Sequence, residues 1–532
     1  MKRIYPAVAI LLALCCLVAP GSGAPLSHAS ESGQAISAPC GIVDDFGFPV
    51  PDVDVSRTDF GIYRTRWGGL HVGIDVAFRR HGDPVVAAAR GRVTYSDTEG
   101  WDTEKGVVVL THTFPDGTLI NTLYGHMEEM NGYTFPPMDS CVEKGDIVGA
   151  VGDPDNSAPH LHFEVRTRYR HEGGPGYTDR NPLELGWLHP VDFIYRARVM
   201  VDPAYRGSIS FTDRLSAPPV LLPSGQYVLP HSRYLEGVGP GGVSLWRFDT
   251  VGSVTDLIGL SDNRALAITS ENQVLIVSNG SVNGLWLLGG NAAPGAMLDA
   301  DRLIVVLNRD TVAAYSLEGM PLWSVGPLSS RITQWAHSGD RYAFVGMDGS
   351  LRVLDRDGQM LLETRLSPAP QVFAGSPGSF VVLQGETLQT LDATLALQTV
   401  VQMPRSATSG AQVVTAGDGR MYLYPGEGRS LYAYNPAGEL QWIGYLPGES
   451  VRSPQLAVGG GKLVSVLTAD GTLLNFDTFD GRLLGQHELY TGGLDGGGAT
   501  ARWVYVDANE TIHFSAGFLT VAALDGHMLL AR

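Results

Sequence analysis

From about Tyr205 onward one short pattern returns again and again. An apolar segment, often carrying Trp, recurs as "SLWRFD" at Trp246, "GLWLLG" at Trp286 and "PLWSVG" at Trp323. It continues as "MLLETR" near Leu361, "LALQTV" near Leu397, "LQWIGY" at Trp442, "RLLGQH" near Leu484 and "HMLLAR" near Leu529. The steps are about 36 to 45 residues, the period of a four-stranded unit stacked on its neighbours. Gly-bearing turns precede many of the segments: "SLEGMPLW", "DRDGQMLL", "NPAGELQW", "DTFDGRLL" and "ALDGHMLL". Each reads as a hairpin feeding a strand. A chain with this period has little choice but a ring of small antiparallel sheets, a β-propeller. Eight units can be counted. The fifth, around "LALQTV", is poorly marked, so seven or eight blades are expected.

Composition agrees with β-structure rich in turns. The chain has 532 residues, 66 of them Gly, and only 17% are charged. That length requires more than one core. The net charge of −18 argues against nucleic acid as the main partner. The start, "MKRIYPAVAILLALCCLVAPGSGA", has Lys2 and Arg3, then an apolar run from about Ala7 to Ala19, then small residues. This is the pattern of a signal peptide over residues 1–24. An uncleaved segment anchoring the chain in a membrane is the alternative, although a span needs about 20 apolar residues. The expected location is therefore outside the cytoplasm: extracellular, periplasmic or attached to the cell envelope. Beyond the leader only Cys40 and Cys141 remain. Export permits a disulfide between them. Two unpaired thiols are the alternative.

Residues 38–196 read as short strands with no long helical stretch. "PVVAAARGRVTYS", "GVVVLTHTF" and "TLINTLYGHM" are β-branched runs bounded by Gly, Asp and Pro. A connector over 197–207 leads into the propeller, residues 208–532. The histidines of the first half stand out. In "SAPHLHFEVR", His160 and His162 would share one face of a strand. In "RWGGLHVGIDVAF", the glycines disfavour a helix, and in an extended segment His71, Gly73 and Asp75 share a face. The absent side chain at Gly73 would leave room for an ion. His126 in "LYGHMEE" is a fifth candidate. Two imidazoles, a carboxylate and an open position make a common catalytic zinc site. Spacing alone leaves His81, His112 and His189 as competing ligands.

Gly41 to Asp192 resembles the lysostaphin-like, LytM-type zinc endopeptidases of peptidoglycan. "GGLHVGIDVAF" is similar to the family's HxGxD segment, and "PHLHFEVR" to its HxH. "GVVVLTHTFPDGTLINTLYGHM" resembles the central hairpin, "VEKGDIVGAVG" a closing strand, and "NPLEL" the tail. The resemblance implies an antiparallel sheet domain holding one Zn2+ per chain. His71, Asp75 and His162 would be the metal ligands, and His126 and His160 the catalytic pair beside them. The segments "GDPDNSAP" and "EGWDTEKG" depart from the family's look, and the second is expected to form an unusual wall of the cleft. The C-terminal half resembles quinoprotein-like propellers, whose recurring Trp is packing.

The mainly β chain is thus expected to pair a zinc metalloendopeptidase acting on peptidoglycan peptides with a propeller that binds or positions. The propeller's ligand is open, a protein or a wall glycan. A second reading is a catalytically silent wall-binding or regulatory protein that recruits a partner through the propeller. A third, a quinone-dependent oxidoreductase, has no support beyond fold analogy. The peptide bond cleaved cannot be read from these residues.

Overall fold

The computed structural model describes residues 39–51, 60–240, 242–403, 406–408, 410–447, 454–489, 503–516 and 519–532. The leader expected over residues 1–24 lies outside them. No described helix is long and apolar enough to cross a membrane.

The first half is built on an antiparallel sheet. Its central order is Trp187–Leu188, Leu161–Arg166, Leu119–Glu128, Gly106–Thr113, Gly91–Asp97 and Cys141–Val142. Ile74–Val76 also pairs with Leu161–Arg166, and Pro84–Val86 pairs with Ile147–Val151. A separate small sheet joins Tyr63–Arg64, Gly69–His71 and Tyr177–Thr178. Alternating apolar residues such as Val108, Leu110, Tyr124, Phe163 and Val165 point to one face and are fully buried there with Phe46, Phe114 and Phe193. Cys40 and Cys141 form a disulfide across 101 positions. A loop of that size stabilises the fold by about 4.7 kcal/mol in the chain-entropy model. Replacing both cysteines with serine should therefore lower the thermal midpoint of the first domain, and adding reductant to the parent should reproduce that shift.

One helix departs from the sequence expectation. Residues Pro190–Met200 are helical, capped by His189, whose ring accepts from the Asp192 backbone N–H at 3.2 Å. The helix is hard to see in sequence because it is buried nearly all round, so it lacks a polar stripe. Phe193, Ile194 and Ala197 complete the core of the first domain, while Val199 belongs to a cluster of the propeller. This helix ties the two halves together.

Among the described residues the second half contains eight four-stranded antiparallel sheets. Seven are consecutive hairpin runs, from Val220–Asp249 to Gln455–Glu488. The eighth combines Val504–Val506, Thr511–Ser515 and Thr520–Asp525 with Tyr205–Ser210 from the beginning of the domain. Each neighbouring pair of sheets shares a hydrophobic cluster. The cluster of Ile209, Tyr227, Leu229 and Val521 joins the eighth sheet to the first and closes the ring. Closure leaves no terminal sheet with an unpaired face.

The recurring segments are the outermost strands in seven sheets, as expected. The eighth, "HMLLAR", is not a strand. Gly526–Leu530 is a helix, capped by Asp525 accepting from the backbone N–H groups of His527 and Met528. The edge it would have occupied is already taken by Tyr205–Ser210, which pairs with Thr520–Asp525.

The tryptophans pack as expected, and their partners are the turn glycines of the following sheet. A Cβ on Gly280 would lie 2.7 Å from Trp246, and one on Gly319, Gly358 or Gly481 would lie 2.6 Å from Trp286, Trp323 or Trp442. These four glycines also have positive φ, between 73° and 86°, which side chains disfavour. The poorly marked unit lacks both of these partners. There the outer strand of the preceding sheet carries Leu362 instead of Trp, and the turn carries Leu395 at φ 65° instead of Gly. Both leucines pack on the same cluster, so the smaller ring-less side chain and the larger turn residue compensate. Trp442 is 8% exposed and donates its indole N–H to the Thr478 carbonyl at 3.0 Å. Trp442→Ala should destabilise the propeller by about 3–5 kcal/mol, read as a lowered unfolding midpoint.

Candidate metal centre

Four histidines and one aspartate converge at one end of the long strands. The convergence depends on strand pairing. Asp75 lies directly opposite His162 in the register of Ile74–Val76 against Leu161–Arg166. His71 does not share a continuous strand with Asp75. It ends Gly69–His71 in the small sheet, and the chain crosses between sheets at Val72 and Gly73. Gly73 is required there for a different reason from room for an ion. A Cβ would lie 2.6 Å from the Phe163 carbonyl oxygen and 2.8 Å from the His162 ring.

The donor atoms meet closely. His71 Nε2 is 2.9 Å from His162 Nδ1. Asp75 Oδ1 is 3.2 Å from His162 Nδ1 and 3.3 Å from His71 Nε2. Donors about 2.0–2.2 Å from a tetrahedral ion stand about 3.3–3.6 Å apart, so this trio has nearly the required spacing. The three residues form the His/Asp cluster capable of holding a metal ion among the described residues. All three are buried. Burial opposes the charge on Asp75, but the imidazoles of His71, His160 and His162 hold its carboxyl well below the usual range. Arg64 Nη2 donates to the other carboxylate oxygen, Oδ2, at 3.3 Å. That leaves Oδ1 as the oxygen facing the histidines.

His160 and His126 stand beside this trio. His160 lies just before the strand, with Nε2 3.5 Å from Asp75 Oδ1. Its Nδ1 is 2.8 Å from the Ala158 carbonyl oxygen. A carbonyl only accepts, so Nδ1 carries the proton and Nε2 is left for the cleft. His126 is arranged alike, with Nδ1 2.7 Å from the Glu104 carbonyl oxygen. Its ring is 4.6 Å from that of His160. Burial, and then repulsion from His160 and His162, pushes the His126 pKa down to about 3, so its ring is neutral at pH 7.

Behind the trio lies a buried support that the sequence reading did not single out. His162 Nε2 donates to Glu164 Oε1 at 3.0 Å. Glu164 Oε2 accepts from Trp187 Nε1 at 2.9 Å and from Arg166 Nη1 at 3.2 Å. Glu164 and Arg166 have no exposed surface, so their charges offset one another. Such a carboxylate behind a metal-binding histidine fixes its tautomer and ring orientation. The signal was present as period-two spacing: His160, His162, Glu164 and Arg166 all point one way. Glu164→Gln should weaken metal binding about 10–100-fold, measured by competition with a chelating indicator.

The competing histidines lie elsewhere. His112 is fully buried between the Arg90 carbonyl and the Thr122 hydroxyl, and burial pushes its pKa down to about 4. His189 caps the bridging helix, and His81 pairs with Glu128 at 3.1 Å.

A cleft of about 340 Å³ opens over Asp75, His126, His160 and His162, walled by Arg64, Trp67, Phe78, Trp101, Glu104, Ser157 and Tyr177; His71 lies beneath it, fully buried. Trp101 and Glu104 come from "EGWDTEKG", the segment expected to shape the wall. Trp101 packs edge-on against His126 and His162, with centroids 5.0 and 5.4 Å away. Gly125 makes space for it, because a Cβ there would lie 2.3 Å from the indole.

Comparison with known proteins agrees with both halves. Residues 69–174 match the family described as Peptidase family M23. Residues 311–517 match the family described as Outer membrane protein assembly factor BamB. Among solved structures, the computationally designed Ika8 protein is 15% identical with a TM-score of 0.49, covering 60% of this chain and 98% of that one. BamB from Moraxella catarrhalis is 17% identical with a TM-score of 0.45, covering 60% of this chain and 96% of that one. Comparison with curated proteins gives no match. The chain thus joins a segment of the peptidase family M23 type to a β-propeller segment of the BamB type.

Proposed function

We propose that this protein is an exported zinc-dependent endopeptidase that hydrolyses peptide bonds in peptidoglycan, with the propeller as its binding or positioning module. The observation that supports this reading best is the 2.9–3.3 Å spacing of His71 Nε2, Asp75 Oδ1 and His162 Nδ1, which suits one zinc ion. When bound, zinc supplies a Lewis acid for the scissile carbonyl and makes water acidic enough to ionise near pH 7.

The chain's own residues would then do the following. His71, Asp75 and His162 hold the ion, and Glu164 keeps His162 in the tautomer that presents Nδ1. His126 and His160, each with Nδ1 committed to a backbone carbonyl, turn Nε2 toward the cleft. One takes a proton there from the attacking water. The ring that took the proton then gives it up from Nε2 to the substrate, at the carbonyl oxygen or at the departing amine. Trp67, Trp101, Phe78 and Tyr177 exclude water and give the peptide flat apolar walls. A BamB-type propeller fits an envelope location and contact with a protein or a wall glycan. The acidic chain does not suit nucleic acid.

The test is digestion of purified peptidoglycan by the chain lacking its leader, followed by mass spectrometry of the fragments. Cleavage that stops on chelation and returns with zinc is the expected outcome. Binding of wall peptides without new fragments, at one zinc per chain, would instead favour the silent wall-binding protein.

A further inference from the structure

The strand Leu119–Glu128 connects two sites. His126 lines the metal cleft, and Ile120, six residues earlier, lines a second cavity about 20 Å away along the strand. This cavity has a volume of about 380 Å³ and lies where the first domain meets the closing sheet of the propeller. Its walls come from the bridging helix, from Tyr205–Ser210 and from Thr520–Asp525.

Arg196, on the bridging helix, lines this cavity and is only 7% exposed. Its guanidinium is held from the propeller side: Nη1 donates to Ser210 Oγ and, at 3.1 Å, to Thr520 Oγ1. Both acceptors are neutral. Its Nε is buried and has no hydrogen-bond partner among the described residues. No described carboxylate forms an ion pair with it. Asp192, one turn back on the helix, and Asp116, exposed at the rim, act on it only through space. Phe193 lies under the guanidinium, 4.9 Å from its centre.

A buried guanidinium without an anion is an expensive arrangement. The effective desolvation penalty is several kcal/mol per ion, and two hydroxyls and an aromatic face offset only part of it. Arginine does not escape by losing its proton. Its planar fork matches a carboxylate or phosphate group. The cavity is within the range of small-ligand sites, with apolar walls at Leu188, Met200 and Ile209; its second cation, Arg206, is already paired with Asp525, which leaves Arg196 as the one without a carboxylate. Asp116 at the rim disfavours a highly charged ligand.

We infer that this interdomain cavity binds a small molecule carrying one oxyanion group, a carboxylate or a phosphate, against Arg196. Because Arg196 belongs to the bridging helix and Ser210 and Thr520 to the propeller, an occupied site fastens the two domains together. The inference is independent of the zinc centre and of peptidase activity.

The test uses the chain lacking its leader and follows its thermal unfolding midpoint in acetate, inorganic phosphate and chloride at equal ionic strength. A saturable rise in acetate or in phosphate over chloride is expected, and which of the two acts identifies the preferred group. Arg196→Gln should lose the saturable rise. Ser210→Asp, at an exposed position beside Nη1, places a carboxylate where the ligand group would sit. It should raise the midpoint in chloride and abolish the response to added anion, and it serves if Arg196→Gln does not fold. Equal midpoints in all three salts, a non-saturating rise of the kind excluded salts cause generally, or an unchanged response in either variant would overturn the inference.

Discussion

His162→Ala empties the metal site and takes peptide-bond cleavage to background. His162 supplies one of three donor atoms, and its Nδ1 lies within 3.2 Å of both others. Two remaining donors cannot set a tetrahedral site. The substitution also leaves the fully buried Glu164 without the imidazole that binds Oε1, so about 1–3 kcal/mol of stability goes with the metal. Zinc content should fall from one per chain to near none, and the thermal midpoint should fall as well. Retention of stoichiometric zinc by the variant would show that the ion, if bound, sits elsewhere.

His160→Ala has a different signature. His160 approaches Asp75 Oδ1 through Nε2 at 3.5 Å but is outside the trio, and its Nδ1 is committed to the Ala158 carbonyl. Zinc should therefore remain near one per chain while kcat falls about 10²–10⁴-fold, the usual contribution of a general acid or base. The comparison of metal content with turnover separates a ligand from a proton-handling residue. A variant that cleaves as fast as the parent would remove His160 from the proposed chemistry, and one that loses the metal would make it a ligand.

Much of this protein is legible in its sequence. Period two in "HLHFEVR" placed His160 and His162 on one face, and the same spacing carried Glu164 and Arg166 with them, unremarked. The helix Pro190–Met200 was missed because burial on both sides erased its stripe. The weak fifth repeat concealed a real sheet, because Leu362 and Leu395 had replaced the Trp and Gly that mark the others. The eighth segment misled, since its sequence fits a strand while its edge belongs to Tyr205–Ser210.

Local periodicity and residue type alone determined the two-part β architecture and the packing role of the tryptophans, and narrowed the metal residues to a few histidines and Asp75, among which the family resemblance chose. These are properties of neighbours in the chain, and side-chain alternation and turn chemistry express them without help from distant segments. Only the tertiary structure decided that His71 and Asp75 meet from different sheets, that Glu164 and Arg166 stand behind His162, that the ring closes with its first strand, and that Arg196 is enclosed between domains. Those outcomes depend on pairing between segments tens to hundreds of residues apart. That pairing is set by shared burial and hydrogen bonding, which no single stretch of the chain records.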